Sequence, residues 1–183
     1  MRFFNTTGPV EPDEHYALPP LARLDRDELD LLIAQKRYFV LHAPRQTGKT
    51  SALLALMAHL NAEGRYRCCY TNVEIAQSAR EDVDAAIWAI YDALALSARH
   101  YLDDDFLQTR QVELRAQHNG HSLLLHALGE WAARDPRPLV LLMDEIDALI
   151  GDTLISVLRQ LRAGYPQRPA RFPSTVILCG VRD

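Results

Sequence analysis

The stretch YFVLHAPRQTGKT, Tyr38 to Thr50, decides how the rest of the chain is read. It opens on a continuous apolar run, Tyr38-Phe39-Val40-Leu41, of strand type. A loop at Pro44 follows, then a helical pattern from about Lys49 to Asn61, with Leu53, Leu56, Met57 and Leu60 at helical spacing. Gly64 closes that helix. Between strand and helix, Ala43 to Thr50 has the form x-x-x-x-x-G-K-T. The phosphate-loop pattern is G-x-x-x-x-G-K-[ST], and the single departure is Ala43 in place of the first glycine.

Each residue type in this loop has a physical task. Backbone N–H groups wrap phosphate oxygens, and the positive end of the following helix points at them. Gly48 lets the backbone approach closely and take an unusual φ. Lys49 reaches the β- and γ-phosphates, and the Thr50 hydroxyl is placed to ligate Mg²⁺. Pro44, Arg45, Gln46, Thr47, Gly48, Lys49, Thr50 and Ser51 are therefore the candidate nucleotide-binding residues. Alanine at 43 is tolerable where it keeps φ negative, because it starts the turn rather than lining the phosphates.

A second motif lies about ninety residues downstream, where LVLLMDEID runs from Leu139 to Asp147. An apolar strand ends in two acids. In a parallel sheet, ligands bind at the carboxyl ends of the strands, so Asp144 belongs beside the phosphate loop as a Mg²⁺ residue. Glu145 is placed to orient or deprotonate an attacking water, which makes Glu145 and Lys49 the candidate catalytic residues. A glutamate there points to water as acceptor, hence hydrolysis rather than a small-molecule kinase. A GTPase needs N-K-x-D, and none of Asn5, Asn61, Asn72 or Asn119 is followed by lysine. Asp147 reads most simply as the cap of the next helix.

Outward from these motifs, strand-like runs at Arg67–Val73, Leu139–Met143 and Thr175–Cys179 alternate with helical patterns at 81–100, 121–134 and 152–163. A further helix starts after Asp25, with Glu28 completing a capping box. Such alternation specifies an α/β fold, a three-layer sandwich around a mainly parallel sheet. Residues 103–120 are ambiguous, and Asp103, Asp104 and Asp105 read as a solvated helix N-terminus rather than a metal site. The boundaries are a leader arm over 1–22, punctuated by Pro9, Pro12, Pro19 and Pro20, and a core over 23–183.

Composition agrees. The chain has 183 residues, 48% apolar and 24% charged, with a formal net charge of −4. That is globular composition with one core, and it argues against a protein coated in basic charge for nucleic acid. No apolar run reaches the ~18 residues of a membrane span, and the opening MRFFNTTGPVEP has no signal-peptide core. Cys68 and Cys69 are adjacent and would face opposite sides of a strand, so they read as small apolar fillers. A cytoplasmic, reducing location fits best. The histidines, His118 and His121 among them, lack partners at zinc-ligand spacing.

YFVLHAPRQTGKT, LVLLMDEIDAL, the tail ISVLRQLRAG…PSTVILCGVRD and the opening FNTTGPV…HYALP together resemble the bacterial AAA-like ATP-binding domain, within the AAA+ and STAND ATPases. The resemblance implies P-loop NTPase strand order 5-1-4-3-2, with this chain supplying strands one to four and the fifth strand expected downstream. It implies ATP and Mg²⁺ as ligands. It places Tyr16, Leu18 and Pro19 against adenine, with an arm packed on the sheet edge as the alternative. It also leads one to expect a polar sensor at the end of the fourth strand. Cys179 and Gly180 stand there instead, with Arg182 just beyond, either as a phosphate contact or as a turn arginine.

On the same resemblance, Asn72 either restrains Glu145 or caps its own strand. Arg159, Arg162, Arg168 and Arg171 cluster; either a helix C-terminus attracts the first two, or the cluster serves as a trans-acting arginine or nucleic-acid patch. The implied activity is ATP hydrolysis driving conformational change. The alternatives are a slow nucleotide-gated switch or scaffold, and a DNA-handling ATPase of the initiator or transposition type. Implied partners are the protein's own C-terminal region or other subunits; nucleic acid lacks a supporting motif, and no membrane is expected.

Overall fold

A computed structural model describes Phe3, Glu14, residues 19–42, Pro44 and residues 47–180. Its centre is a sheet of four parallel strands: β1 (Tyr38–His42), β2 (Arg67–Asn72), β3 (Leu139–Asp144) and β4 (Thr175–Gly180). Their spatial order is β1-β4-β3-β2, the order 1-4-3-2 that the resemblance implied. Among the described residues, six α-helices connect and flank them: α1 (Arg26–Ala34), α2 (Lys49–Glu63), α3 (Val83–Leu102), α4 (Phe106–Gln117), α5 (Leu123–Ala132) and α6 (Gly151–Gly164). The fold is the three-layer α/β sandwich read from the alternating pattern.

Strand alternation divides the core into two halves. Cys68, Tyr70, Val140, Leu142, Ile177 and Cys179 face the side covered by α1 and α2. Cys69, Leu139, Leu141, Met143 and Val176 face α3 to α6. Cys68 and Cys69 do point to opposite sides, and both are fully buried free thiols. Every residue of β3 is buried, which explains why its sequence is a continuous apolar run rather than an alternating one.

The helix boundaries follow local chemistry. The Asp25 side chain accepts the Glu28 N–H at 3.1 Å and starts α1. Asp82 does the same for α3 through the Ala85 N–H at 3.0 Å. Gly64 ends α2 at φ +73°, a left-handed position that glycine adopts without Cβ strain. Leu53, Leu56 and Leu60 of α2 are buried against the sheet, and because α2 follows the carboxyl end of β1 in a parallel sheet, its N-terminus lies at the carboxyl ends of the strands.

The acidic run at 103–105 departs from expectation. Asp103 ends α3 with a left-handed φ and pairs with Arg99 at 3.1 Å, and Asp105 begins α4. Asp104 is not a solvated acid. It pairs with the buried Arg67, accepts the Trp131 indole N–H at 2.7 Å and accepts the Phe106 N–H at 3.0 Å. One carboxylate thereby ties the start of β2, the start of α4 and helix α5 together. Among the described residues, no group of three or more His, Cys, Asp or Glu side chains is placed to hold a metal ion, and no helix is long and apolar enough to cross a membrane.

Of the leader, Phe3 donates its N–H to the Glu14 carbonyl at 3.0 Å. A 3-10 turn over Pro20–Arg23 follows, and Leu21 and Leu24 pack on the α1/α2 side of the core.

Candidate nucleotide-binding site

The site is assembled where β1 hands over to α2 and where β3 ends. Gly48 sits at φ +81° and ψ +25°, a left-handed conformation that glycine adopts without Cβ strain, and Lys49 begins α2 immediately after it. The Lys49 ammonium donates to the Pro44 carbonyl at 3.0 Å, and the Thr47 hydroxyl donates to the same carbonyl at 2.8 Å. The loop rim is thus tied by hydrogen bonds of its own. Ser51 lies half-buried in the first turn of the helix. Arg45 and Gln46, like Ala43, Tyr16, Leu18 and Arg182, lie outside the described residues.

Asp144, the last residue of β3, is completely buried. Its Oδ2 accepts the Thr50 hydroxyl at 2.7 Å, across 94 residues of sequence. The two motifs found separately in the sequence are joined by that bond. Oδ2 also accepts the Tyr70 hydroxyl at 3.1 Å, and Oδ1 accepts the Glu145 N–H at 3.0 Å. A hydroxyl and a carboxylate, adjacent at the mouth of a helix N-terminus, form the hard oxygen set that suits Mg²⁺.

Glu145 adopts φ +58° and ψ +41°, a left-handed conformation that costs a non-glycine residue ~1 kcal/mol or more. Partial burial, then the flanking Asp144 and Asp147 carboxylates, raise its proton affinity above that of an ordinary glutamate, and Lys49 offsets part of this. Burial, followed by the neighbouring Asp144 charge, holds the Tyr70 hydroxyl well above its ordinary range, so the phenol stays a donor. Burial and Asp144 likewise push the Cys179 thiol up to about 12.

Several other readings are settled by position. Asn72 lies opposite Asp144 in register, but its Oδ1 accepts the Glu74 N–H at 2.8 Å. It caps its own strand end. Asp147 does not cap α6, whose N-cap is Ile150 with no side-chain bond. It sits in the 3-10 turn Ile146–Ala148 instead, close against β4. A Cβ on Gly180 would come within 2.5 Å of the Asp147 carboxylate, so glycine at the end of β4 is what admits that acid. Arg168 is not a patch arginine. Its guanidinium donates to the Lys36, Tyr165 and Ser174 carbonyls and stacks on the Tyr38 and Tyr165 rings, stapling the opposite end of β1.

Tyr70 and Cys179 were not singled out in the sequence as neighbours of Asp144. The usable signal was strand alternation in β2 and β4, but it becomes specific only once the register beside β3 is known.

A sequence-family model described as an AAA domain matches residues 33–183. No curated protein matches significantly. Seven chains of solved structures match. One belongs to the structure of Drosophila ORC bound to poly(dA/dT) DNA and Cdc6, with a TM-score of 0.53 and 16% identity. The match covers 90% of the present chain and 25% of that one, so this chain spans a quarter of its length. At that identity the likeness is one of fold.

Proposed function

The chain belongs to the AAA domain family, a family of P-loop NTPases, and we propose that it binds ATP with Mg²⁺ and hydrolyses it to drive a conformational change. The observation that carries this reading is the bond from the Thr50 hydroxyl to the buried Asp144 carboxylate. It brings the phosphate loop and the acidic strand end into one site.

The residues divide the work as follows. Gly48 and the first turn of α2 present backbone N–H groups to the phosphates, helped by the positive helix end. Lys49 exchanges the Pro44 carbonyl for β- and γ-phosphate oxygens. A Mg²⁺ held by Thr50 and Asp144 would supply charge neutralisation across the β- and γ-phosphates. Glu145 orients water for in-line attack and holds the proton it gives up on its carboxylate. Its raised proton affinity makes it a better base than an ordinary glutamate. Tyr16, Arg45 and Gln46 remain proposed nucleotide contacts from the loop pattern and the resemblance.

The test is a phosphate-release assay on three proteins. The unmodified chain releases phosphate from ATP, Lys49→Ala neither binds nor turns over, and Glu145→Gln binds but does not turn over. Normal hydrolysis by Glu145→Gln would remove the catalytic assignment. If the unmodified chain binds ATP without turnover, the nucleotide-gated switch replaces the ATPase.

A DNA-handling role has one supporting observation, the shared fold with a chain from the structure of Drosophila ORC bound to DNA. The net charge of −4 weighs against it. A salt-dependent gel shift with and without ATP decides between them. The buried free thiols support a reducing, cytoplasmic location.

A further inference from the structure

We propose that Tyr70 is a positioning residue that fixes the Asp144 carboxylate in the orientation required for the metal-dependent part of nucleotide binding. The inference rests on the reading of Thr50 and Asp144 as the Mg²⁺ site.

The geometry is specific. Asp144 is fully buried, and its two oxygens are held by groups from three directions. Oδ2 takes the Thr50 hydroxyl from α2 and the Tyr70 hydroxyl from β2, and Oδ1 takes the Glu145 N–H from the turn that follows. Donors on both oxygens fix the carboxylate plane against rotation. Tyr70 reaches because it is on the α2 side of β2, in register with Leu142 of β3 and therefore two positions before Asp144. The ring is itself held, 7% exposed and edge-on to Tyr101 at 6.1 Å.

Thr50 and Tyr70 differ in what else is asked of them. The Thr50 oxygen is a metal ligand in the proposed site, so its geometry changes when the cation arrives. The Tyr70 hydroxyl, which also comes within hydrogen-bond reach of Thr50, is not itself a ligand in the proposed site. Its bond to Asp144 is the fixed reference for the carboxylate with the metal present or absent. Hydrogen-bond partners of metal-site side chains generally matter to metal affinity by about 10–100-fold.

The experiment uses Tyr70→Phe, which removes the hydroxyl and leaves the ring. Binding of a fluorescent ATP analogue is followed first in EDTA and then during a Mg²⁺ titration. The proposal expects unchanged binding in EDTA and a half-saturating Mg²⁺ concentration raised about tenfold. An unchanged Mg²⁺ midpoint overturns it. Equal weakening with and without Mg²⁺ also overturns it, since that is the signature of a packing role. Mg²⁺-independent binding by the unmodified protein would sink the underlying site assignment and the proposal with it, an outcome visible without any variant. If Tyr70→Phe fails to fold by circular dichroism, the unmodified protein is labelled with 3-fluorotyrosine. The ring in contact with Tyr101 must then shift in ¹⁹F NMR when Mg²⁺ joins bound nucleotide, and the absence of a shift overturns the proposal.

Discussion

Glu145 carries two local costs. Its backbone is left-handed, and its side chain stands between Asp144 and Asp147. Neither helps the fold, and both place an acid of raised proton affinity at the mouth of the phosphate loop. Glu145→Gly relieves the strain and the repulsion together. We expect it to abolish turnover while leaving the protein as stable as before or up to ~1 kcal/mol more stable in urea unfolding. A clear loss of stability would contradict the claim that this backbone position is strained. The same residue shows what a sequence conveys. Its chemistry was legible from the strand that precedes it, whereas its conformation was not, because nothing in MDEID marks a non-glycine residue for positive φ.

Elements were legible where one physical signal dominated. Helices α2 and α3 show apolar spacing and a definite end, and β3 is a run of apolar residues with both faces covered. The region between α3 and α5 was not, because its determinant is tertiary. Asp104 looks like one of three surface acids until Arg67 and Trp131 arrive from far along the chain. Burial pulls the Arg67 proton affinity down, so that guanidinium depends on its partner. Asp104→Ala removes the paired carboxylate and leaves Asp135 as the acid that still favours the buried guanidinium, which is expected to cost about 3 kcal/mol by denaturant midpoint. A change below 1 kcal/mol would show that the pair is dispensable.

The α4–α5 junction adds a pH dependence. His118 and His126 stack with ring centroids 3.9 Å apart. Desolvation first, and then His126, lower the His118 pKa below 6.5, while Glu130 opposes the shift. The folded state therefore binds this proton less readily than the unfolded chain, so stability falls as the pH drops through the range below the ordinary histidine value. NMR titration should give His118 a midpoint under that value, and His126→Gln should move it upward. A midpoint that ignores His126 would show that the stacking carries no charge coupling.

At the scale of the whole molecule, the nucleotide motifs lie at the carboxyl ends of a sheet whose β1 is an outer strand among the described residues. Val40 of β1 is 61% exposed on the α3–α6 side, and Ile155 and Leu158 of α6 are also exposed. A right-handed crossover from β4 to the far side of β1 would pass over that side of the sheet. On the strand order that the resemblance implies, a fifth strand would pair there, beside β1. Among the described residues, the positive charge acting on Glu145 comes from Lys49. A partner's arginine at such sites is worth about 10³–10⁵ in rate. We therefore expect slow turnover per chain in dilute solution, rising with protein concentration in a phosphate-release assay. A rate independent of concentration would show that the site is complete in one chain.

The central claim is that Lys49, Thr50 and Asp144 form one Mg²⁺-dependent ATP site. Its most direct test is isothermal titration of ATP, with and without Mg²⁺, into the unmodified chain and into Lys49→Ala. The account predicts saturable binding that Mg²⁺ strengthens in the unmodified chain, and none in Lys49→Ala. Equal binding by both proteins, or none by either, would contradict it.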